Sequence, residues 1–149
     1  MDYTIVSEND FQKARKKIRE AKQLGKVTIF SSNDDELNRK ILEKENIDTL
    51  LLNMAGRKDR MKQRDSGFNQ VIAKLAKKKN VTIGINFDEI LQYRGKEKTE
   101  ILARVRQNVE LCNKEKIKMK FISKEKQDGY NLKSLGLVLG MPTWMTKTV

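Results

Sequence analysis

A short stretch of the chain concentrates side chains that bind phosphate. Five Lys or Arg residues stand between positions 57 and 64, and the segment 57–80 carries nine Lys or Arg against two Asp. That segment supplies +7 of the formal net charge of +12 at pH 7. Dense positive charge attracts polyanions, and nucleic acids present the densest array of phosphates. We expect RNA as the partner, with an anionic membrane surface as the competing class.

The basic residues fall on a loop and on the helix that follows it. Residues 55–66 lack apolar periodicity, which indicates a loop, and Asp65 or Ser66 is predicted to cap a helix that buries Phe68, Val71, Ile72 and Leu75. The free amides of a helix N-terminus also favour phosphate. Taken alone, the lysines at 77–79 also fit an ordinary solvated helix face. The side chains predicted to contact RNA phosphates are Arg57, Lys58, Arg60, Lys62, Arg64, Lys74, Lys77 and Lys78.

The sequence contains no histidine and a single cysteine. The lack of histidine excludes Ser-His and Cys-His nucleophile pairs and every metal site that needs histidine. Carboxylates remain candidates for a magnesium site. Asp88 and Glu89 follow a predicted strand, where barrel enzymes often place catalytic acids, whereas the acids at 34–36 fit the first turn of a helix. Cys112 falls at an apolar helical position, which is typical of a buried core residue.

Hydrophobic periodicity predicts strands that alternate with helices. The predicted strands cover residues 4–6, 27–30, 49–52, 81–85 and 119–122. The first helix is predicted to begin after Asp10, and the second to start with a capping box of Asn33 and Glu36. Later helices are predicted at about 98–114, with Arg104, Arg106 and Asn108 off its apolar face, and at 131–139.

This alternation predicts an α/β fold with right-handed crossovers and a parallel sheet. At 149 residues, the chain is long enough for one domain and is predicted to form one domain, 1–149. A complete barrel of eight strands takes about 250 residues, so we expect a shortened, incomplete barrel-like βα-repeat with at least five parallel strands. The basic loop follows the third strand, at the edge where such folds bind ligands.

Three segments resemble a known family. They are RDSGFNQVIAKLAKKKNVTIGINFDEIL from Arg64, RGKEKTEILARVRQNVELCNKEKIKMKFIS from Arg94, which contains the triplet RQN from Arg106 on the long helix, and NLKSLGLVLGM from Asn131. Together they resemble protein component 3 of archaeal ribonuclease P, whose eukaryotic relatives are the thirty-kilodalton subunits of the same ribonucleoprotein. The resemblance covers residues 56–141, and before it only the order of strands and helices agrees. Family members often have histidine at the position of Gln70, begin with an earlier strand and continue beyond a position like Val149, so the chain is expected to be shortened at both ends.

The resemblance implies a TIM-barrel-like fold related to the polymerase-and-histidinol-phosphatase metal hydrolases, without their metal site. It implies a noncatalytic subunit that binds no cofactor, while the RNA subunit uses magnesium to remove the 5′ leader of precursor tRNA. The implied partners are ribonuclease P RNA, protein component 2, other ribonuclease P proteins and, indirectly, precursor tRNA. Two alternatives stay open: a general nucleic-acid-binding protein, and a metal-dependent phosphoesterase that uses Asp88 or Glu89.

Targeting signals are absent from the sequence pattern. No apolar run approaches the roughly 18 residues that a membrane-spanning helix needs, and the segment MDYTIVSEND lacks the basic start and apolar middle of a signal peptide. We therefore expect a cytoplasmic protein that does not insert into membranes.

Overall fold

The computed structural model describes residues 2–149; Met1, where the predicted domain begins, lies outside the described residues. Five parallel strands form one sheet in the order β1-β2-β3-β4-β5. The strands are β1 Tyr3–Ser7, β2 Val27–Ser31, β3 Thr49–Leu52, β4 Thr82–Asn86 and β5 Met119–Ile122. The helices are α1 Phe11–Gln23, α2 Asp35–Lys44, α3 Gln70–Lys79, α4 Phe87–Gln92, α5 Gly95–Glu115, α6 Gly129–Val138 and α7 Thr143–Thr146.

The chain order of the strands explains the shape of the sheet. Each strand pairs in parallel with the next one in the sequence, and at least one helix connects every pair. Right-handed crossovers that always advance in one direction keep the helices on one face, and the sheet curls as the wall of a βα barrel does. The predicted α/β, barrel-like fold with five parallel strands is confirmed.

One row of apolar side chains crosses the whole sheet beneath the helices. In register, Val6 lies beside Phe30, Phe30 beside Leu50, Leu50 beside Ile83 and Ile83 beside Met119. All five are buried and belong to the main hydrophobic core. Burial of this row against the helices fixes the register of the strands, because a slip of one residue would turn the row to the other face.

The opposite face of the sheet is packed closely around Gly84. A Cβ atom at this position would lie 3.1 Å from Thr49 Cγ2 and 3.2 Å from both Leu51 Cδ1 and Ile122 Cγ1. A side chain here would therefore require these neighbouring side chains to shift by a few tenths of an ångström.

The predicted strands are confirmed to within one or two residues at each end. The long helix α5 extends beyond its predicted bounds at both ends, and α6 begins and ends earlier than predicted. The short helix α4, which directly follows β4, was not predicted.

Within residues 2–149, no helix combines the length and the apolar character that crossing a bilayer requires.

Two predicted helix starts are wrong. The side chain of Asp34, not Asn33, caps α2 by accepting hydrogen bonds from the amides of Glu36 and Leu37. Helix α3 begins after Asn69 instead of after Asp65 or Ser66. Asp65 accepts a hydrogen bond from Arg57, and Ser66 accepts one from Gln107. With this later start Val71 is exposed, contrary to the prediction that it faces inward.

Candidate nucleic-acid interface

The basic loop joins β3 to α3 and lies at the carboxyl edge of the sheet, where βα folds bind ligands. Within it, Arg60 and Gln63 exchange backbone hydrogen bonds of 2.9 and 3.3 Å, so residues 60–63 close a tight turn. Met61 at the tip of this turn is fully exposed. Of the residues predicted to contact phosphate, the loop exposes Lys58, Arg60, Lys62 and Arg64.

Arg57 points inward, unlike the other basic residues of the loop. Its Nη1 and Nη2 atoms donate to the carboxylate of Asp35 at 2.9 and 3.0 Å, and Nη1 also donates to Asp65 Oδ1 at 3.2 Å. Its Nε atom donates to the carbonyl oxygen of Asn53 at 2.7 Å. Burial alone would lower the pKa of Arg57, but the hydrogen bonds and charges of Asp35 and Asp65 outweigh that effect and raise it. We therefore revise the prediction for Arg57: it holds the loop, and its guanidinium is already paired with two carboxylates instead of a phosphate.

Gly67 leaves room for the Arg57 guanidinium. Its φ of +66° is a left-handed conformation, and a Cβ atom here would lie 2.5 Å from Arg57 Nη2. Glycine is thus favoured at this position both by the backbone conformation and by the neighbouring side chain. This explains the glycine in the Asp-Ser-Gly motif that carries the family resemblance.

A second arginine, Arg104 on α5, anchors the start of the loop. Its guanidinium donates to the carbonyl oxygens of Met54 and Arg57, each at 2.8 Å, and to Asp59 Oδ1 at 3.1 Å. Arg104 is 2% exposed, so these partners compensate a charge that would otherwise be buried at high cost. The hydrogen bond from Arg104 lowers the pKa of Asp59 below its usual value of 3.8, against a smaller opposing effect of desolvation.

The RQN triplet on α5 meets the Asp-Ser-Gly motif of the loop. Gln107 Nε2 donates to the carbonyl oxygen of Arg64 at 3.1 Å and to Ser66 Oγ at 3.2 Å. Asn108 Nδ2 lies 3.5 Å from the carbonyl oxygen of Ser66, and both residues are buried. The two sequence motifs are therefore parts of one hydrogen-bonded contact between α5 and the loop.

The prediction that Arg104 and Asn108 lie off the buried face of α5 is wrong. Both stand on the same stripe as the buried residues Ile101, Val105 and Cys112. Their helical spacing is therefore that of core residues, but their polar side chains indicated a position on the surface. The loop supplies the polar partners that let them be buried.

The acids of the loop do not neutralise its exposed cations. Asp59 pairs with Arg104 and Asp65 pairs with Arg57, although both carboxylates remain partly exposed. Among residues 2–149, none of the four exposed loop cations takes part in an ion pair within 4.0 Å. The loop thus presents uncompensated positive charge on a backbone that is fixed from within.

Helix α3 extends this positive surface. Lys74, Lys77 and Lys78 are all exposed, as predicted. The amino group of Lys77 also donates to the carbonyl oxygen of Lys116 at the C-terminus of α5, at 3.0 Å. The N-terminus of α3 opens into a cleft lined by Arg39, Arg60 and Arg64 and also by the acids Asp35, Glu36 and Asp65. Loop, cleft and helix form what we call the loop–α3 surface.

The acids after β4 have structural partners. Glu89 accepts hydrogen bonds from the amides of Met54 and Ala55, at 2.8 and 3.1 Å. Asp88 accepts from Ser123 Oγ at 2.7 Å and from the amide of Lys124 at 3.1 Å. No group of three or more His, Cys, Asp or Glu residues is arranged for a metal ion within the part of the chain that the structure describes.

The cysteine and two aromatic residues differ in their exposure. Cys112 is buried, and burial raises the pKa of its thiol, which fits a core residue. Trp144 packs against the core and donates from Nε1 to Asn113 Oδ1 at 3.3 Å. Tyr130, by contrast, is 84% exposed.

The contact between Gly67 and Arg57 can be tested with alanine substitutions. Gly67→Ala adds left-handed backbone strain of about 1–2 kcal/mol and also forces Arg57 away from its carboxylates. Gly56→Ala is a matched control, because Gly56 also has a positive φ but has no atom within 4 Å of an added Cβ. Urea denaturation should show a greater loss of stability for Gly67→Ala, by at least about 1 kcal/mol. Equal losses would contradict the proposed contact.

The ion pair between Asp59 and Arg104 predicts a pH dependence. Because its folded pKa lies below 3.8, Asp59 stabilises the protein above about pH 4, and this contribution is lost as the pH falls through the folded pKa. An NMR titration of the Asp59 carboxyl group should give a pKa below 3.8 in the native chain. Arg104→Met should raise this pKa more than Arg64→Gln does, and the reverse order would exclude Arg104 as the main cause.

The chain is similar to known proteins of archaeal ribonuclease P. No protein-family model matches the chain. It is 26% identical over 140 residues to ribonuclease P protein component 3 of Methanococcus maripaludis strain C7, covering 94% of this chain and 56% of that protein. Component 3 of Methanocaldococcus jannaschii is 28% identical over 120 residues, covering 80% of this chain and 49% of that protein. The chain thus spans about half the length of the curated relatives it matches.

A solved structure shares the fold. A chain in a cryo-EM structure of archaeal ribonuclease P with mature tRNA superposes with a TM-score of 0.75 at 21% identity, covering 96% of this chain and 62% of that chain. Similarity to component 3 also extends upstream of Gly56, because the alignment covers 94% of the chain, so the expected limit at residue 56 is wrong. The chain is therefore similar in sequence to component 3 proteins, and its barrel-like fold is that of a chain found in archaeal ribonuclease P.

Proposed function

We propose that this chain forms a single domain that acts as a noncatalytic, RNA-binding protein subunit of ribonuclease P. In this role it assists the RNA subunit in removing the 5′ leader of precursor tRNA. One observation carries the proposal: a fold shared with a chain of archaeal ribonuclease P presents four unpaired cations on an internally fixed loop. The similarity to component 3 proteins supports the same assignment.

The loop–α3 surface is the RNA contact in this proposal. The side chains assigned to phosphates are Lys58, Arg60, Lys62, Arg64, Lys74, Lys77 and Lys78, and Arg57 is assigned to holding the loop. Helix α3 is about 15 Å long, so loop and helix together can follow several phosphates along one backbone. Cations that offset phosphate repulsion help a folded RNA form at lower magnesium concentration. The protein itself holds no cofactor, and magnesium serves the RNA subunit.

Protein component 2 is the proposed protein partner, within a particle that holds further ribonuclease P proteins and acts on precursor tRNA in the cytoplasm. We assign its contact to α6, where Tyr130, Leu137 and Val138 are more than half exposed. Exposed apolar side chains of this kind mark protein interfaces.

The function is tested by cleavage of precursor tRNA at low magnesium concentration. The ribonuclease P RNA of the same organism is assayed with component 2, in the presence and absence of this chain. The proposal predicts a clear rise in rate that requires the chain. An unchanged rate, with a folded and RNA-bound protein, would contradict it, and equal binding to an unrelated duplex would instead favour a general nucleic-acid-binding protein.

The RNA contact is tested by a triple variant, Lys58→Gln, Arg60→Gln and Lys62→Gln. Each lost phosphate contact should reduce the slope of log affinity against log salt by roughly 0.7–0.9. The matched control replaces Lys120, Lys126 and Lys133 by Gln, three exposed lysines of β5, α6 and the segment between them. The loop variant should show a flatter slope than the control, and identical slopes would exclude the loop as the contact.

The α6 contact is tested by Leu137→Lys, which places a charge in the exposed apolar surface. Copurification with component 2 should be lost, because an unpaired charge would be buried in the interface. Leu24→Lys is the control, since Leu24 is also exposed, at 71% against 56% for Leu137, but lies at the end of α1. Retained binding by Leu137→Lys would place component 2 elsewhere.

A further inference from the structure

A second positive surface lies on α1, away from the loop–α3 surface. Helix α1 carries six Lys or Arg residues and one acid, Glu20. Helix α2 packs between α1 and α3, so α1 lies on the far side of α2 from the loop–α3 surface. The proposed RNA contact makes no use of these residues.

Cations from α1 and α2 converge around one aromatic ring. The amino group of Lys40 lies 4.3 Å from the centroid of the Phe11 ring. The guanidinium carbon of Arg15 and the amino group of Lys44 each lie 6.0 Å from the same centroid. Like charges held this close repel one another, and cation–π attraction to a single ring offsets only part of that repulsion.

The surrounding acids compensate only part of this charge, although Asp34, Glu36 and Glu43 line one groove with Lys40 and Lys44. The buried carboxylate of Glu45 lies 3.1 Å from Arg19 Nε and 3.6 Å from Arg15 Nε, so one acid serves two guanidinium groups. Glu43 is paired with Arg39 at 3.3 Å. Among residues 2–149, Lys16, Lys40 and Lys44 take part in no ion pair within 4.0 Å. An external anion would relieve the remaining repulsion.

Helix dipoles do not explain the cluster. Cations in the last turn of a helix complement its negative end, which accounts for Lys22 in α1 and Lys44 in α2. Arg15, Lys16 and Lys40 lie near the middle of their helices, where the macrodipole has little effect. The convergence of Arg15 and Lys40 therefore needs another reason.

The surface suits RNA better than a membrane. Of the apolar residues of α1, Ala14, Ile18 and Ala21 are buried in the core and cannot insert into a bilayer, and only Phe11, which the cations surround, is partly exposed. The exposed ridge of α1 consists of polar and charged side chains: Gln12, Lys16, Arg19, Glu20 and Gln23. Mixed amide and cationic side chains are typical of contacts with a phosphate backbone.

We propose that a second stretch of RNA phosphate backbone binds to the α1–α2 surface, defined by Arg15, Lys16, Arg19, Lys40 and Lys44. This proposal rests on the proposed function, because it takes the same RNA as its ligand. It adds a second contact on the far side of α2, so that the protein touches two segments of the RNA. Two contacts of this kind restrict how those segments lie relative to each other.

The test uses a variant of the three unpaired lysines, Lys16→Gln, Lys40→Gln and Lys44→Gln, in the full chain. Its affinity for the ribonuclease P RNA and its hydroxyl-radical footprint are compared with those of the loop variant and of the control at Lys120, Lys126 and Lys133. Each lost contact should weaken binding by roughly five- to eightfold at 0.1 M salt, from slopes of 0.7–0.9. The α1–α2 variant should also lose protection of an RNA segment that the loop variant still protects.

The outcomes separate this inference from the proposed function. If the loop variant weakens binding while the α1–α2 variant behaves as the control does, the second contact is wrong and the proposed function stands. If the α1–α2 variant loses the same protected segment as the loop variant, there is one contact and not two. If the native chain binds no RNA, both proposals fail.

Discussion

The buried guanidinium of Arg104 holds the loop from which the rest of the interface is built. It reaches from α5 to the backbone of Met54 and Arg57 and to the carboxylate of Asp59, at distances of 2.8–3.1 Å. A charge with so little exposure is tolerated only when it is fully paired, so the loop is constrained to bring these acceptors to it. Arg57 then repeats the arrangement one step further along, with Asp35 of α2 and Asp65 of the loop.

This arrangement separates the charges of the loop by sign. Arg57 and Arg104 pair with the loop acids Asp65 and Asp59. The other cations of the loop are exposed and have no ion-pair partner among residues 2–149. The constraint also explains why the loop ends where it does, since Ser66 is held by Gln107 and Asn108 before α3 can begin. A fixed backbone that carries unpaired cations loses little conformational entropy when it binds a phosphate chain. The loop therefore attracts an anion, and its cations are already held in place before the anion binds.

The sequence predicted the strands and most helices because their apolar spacing is regular and because the central strands β2, β3 and β4 are buried on both faces. It failed where polar residues have tertiary partners. Arg104 and Asn108 have the spacing of core residues, yet their polarity indicated a surface position, and only the loop explains their burial. Likewise, Asp65 has the chemistry of a helix cap, but Arg57 takes its carboxylate, and Asn69 caps α3 instead. Local patterns contain no information on such distant partners.

The central claim is that RNA binding depends on the internal arginine pairs and not on positive charge alone. Removing two acids by Asp35→Ala and Asp65→Ala makes the protein more positive, so a simple charge effect would tighten binding. We expect weaker binding to the ribonuclease P RNA, because Arg57 is released and the loop loses its order. Glu97→Ala with Glu125→Ala, which removes two exposed acids elsewhere, is the charge-matched control. Equal or tighter binding by the Asp35 and Asp65 variant, with its fold intact, would show that positive charge alone determines RNA binding.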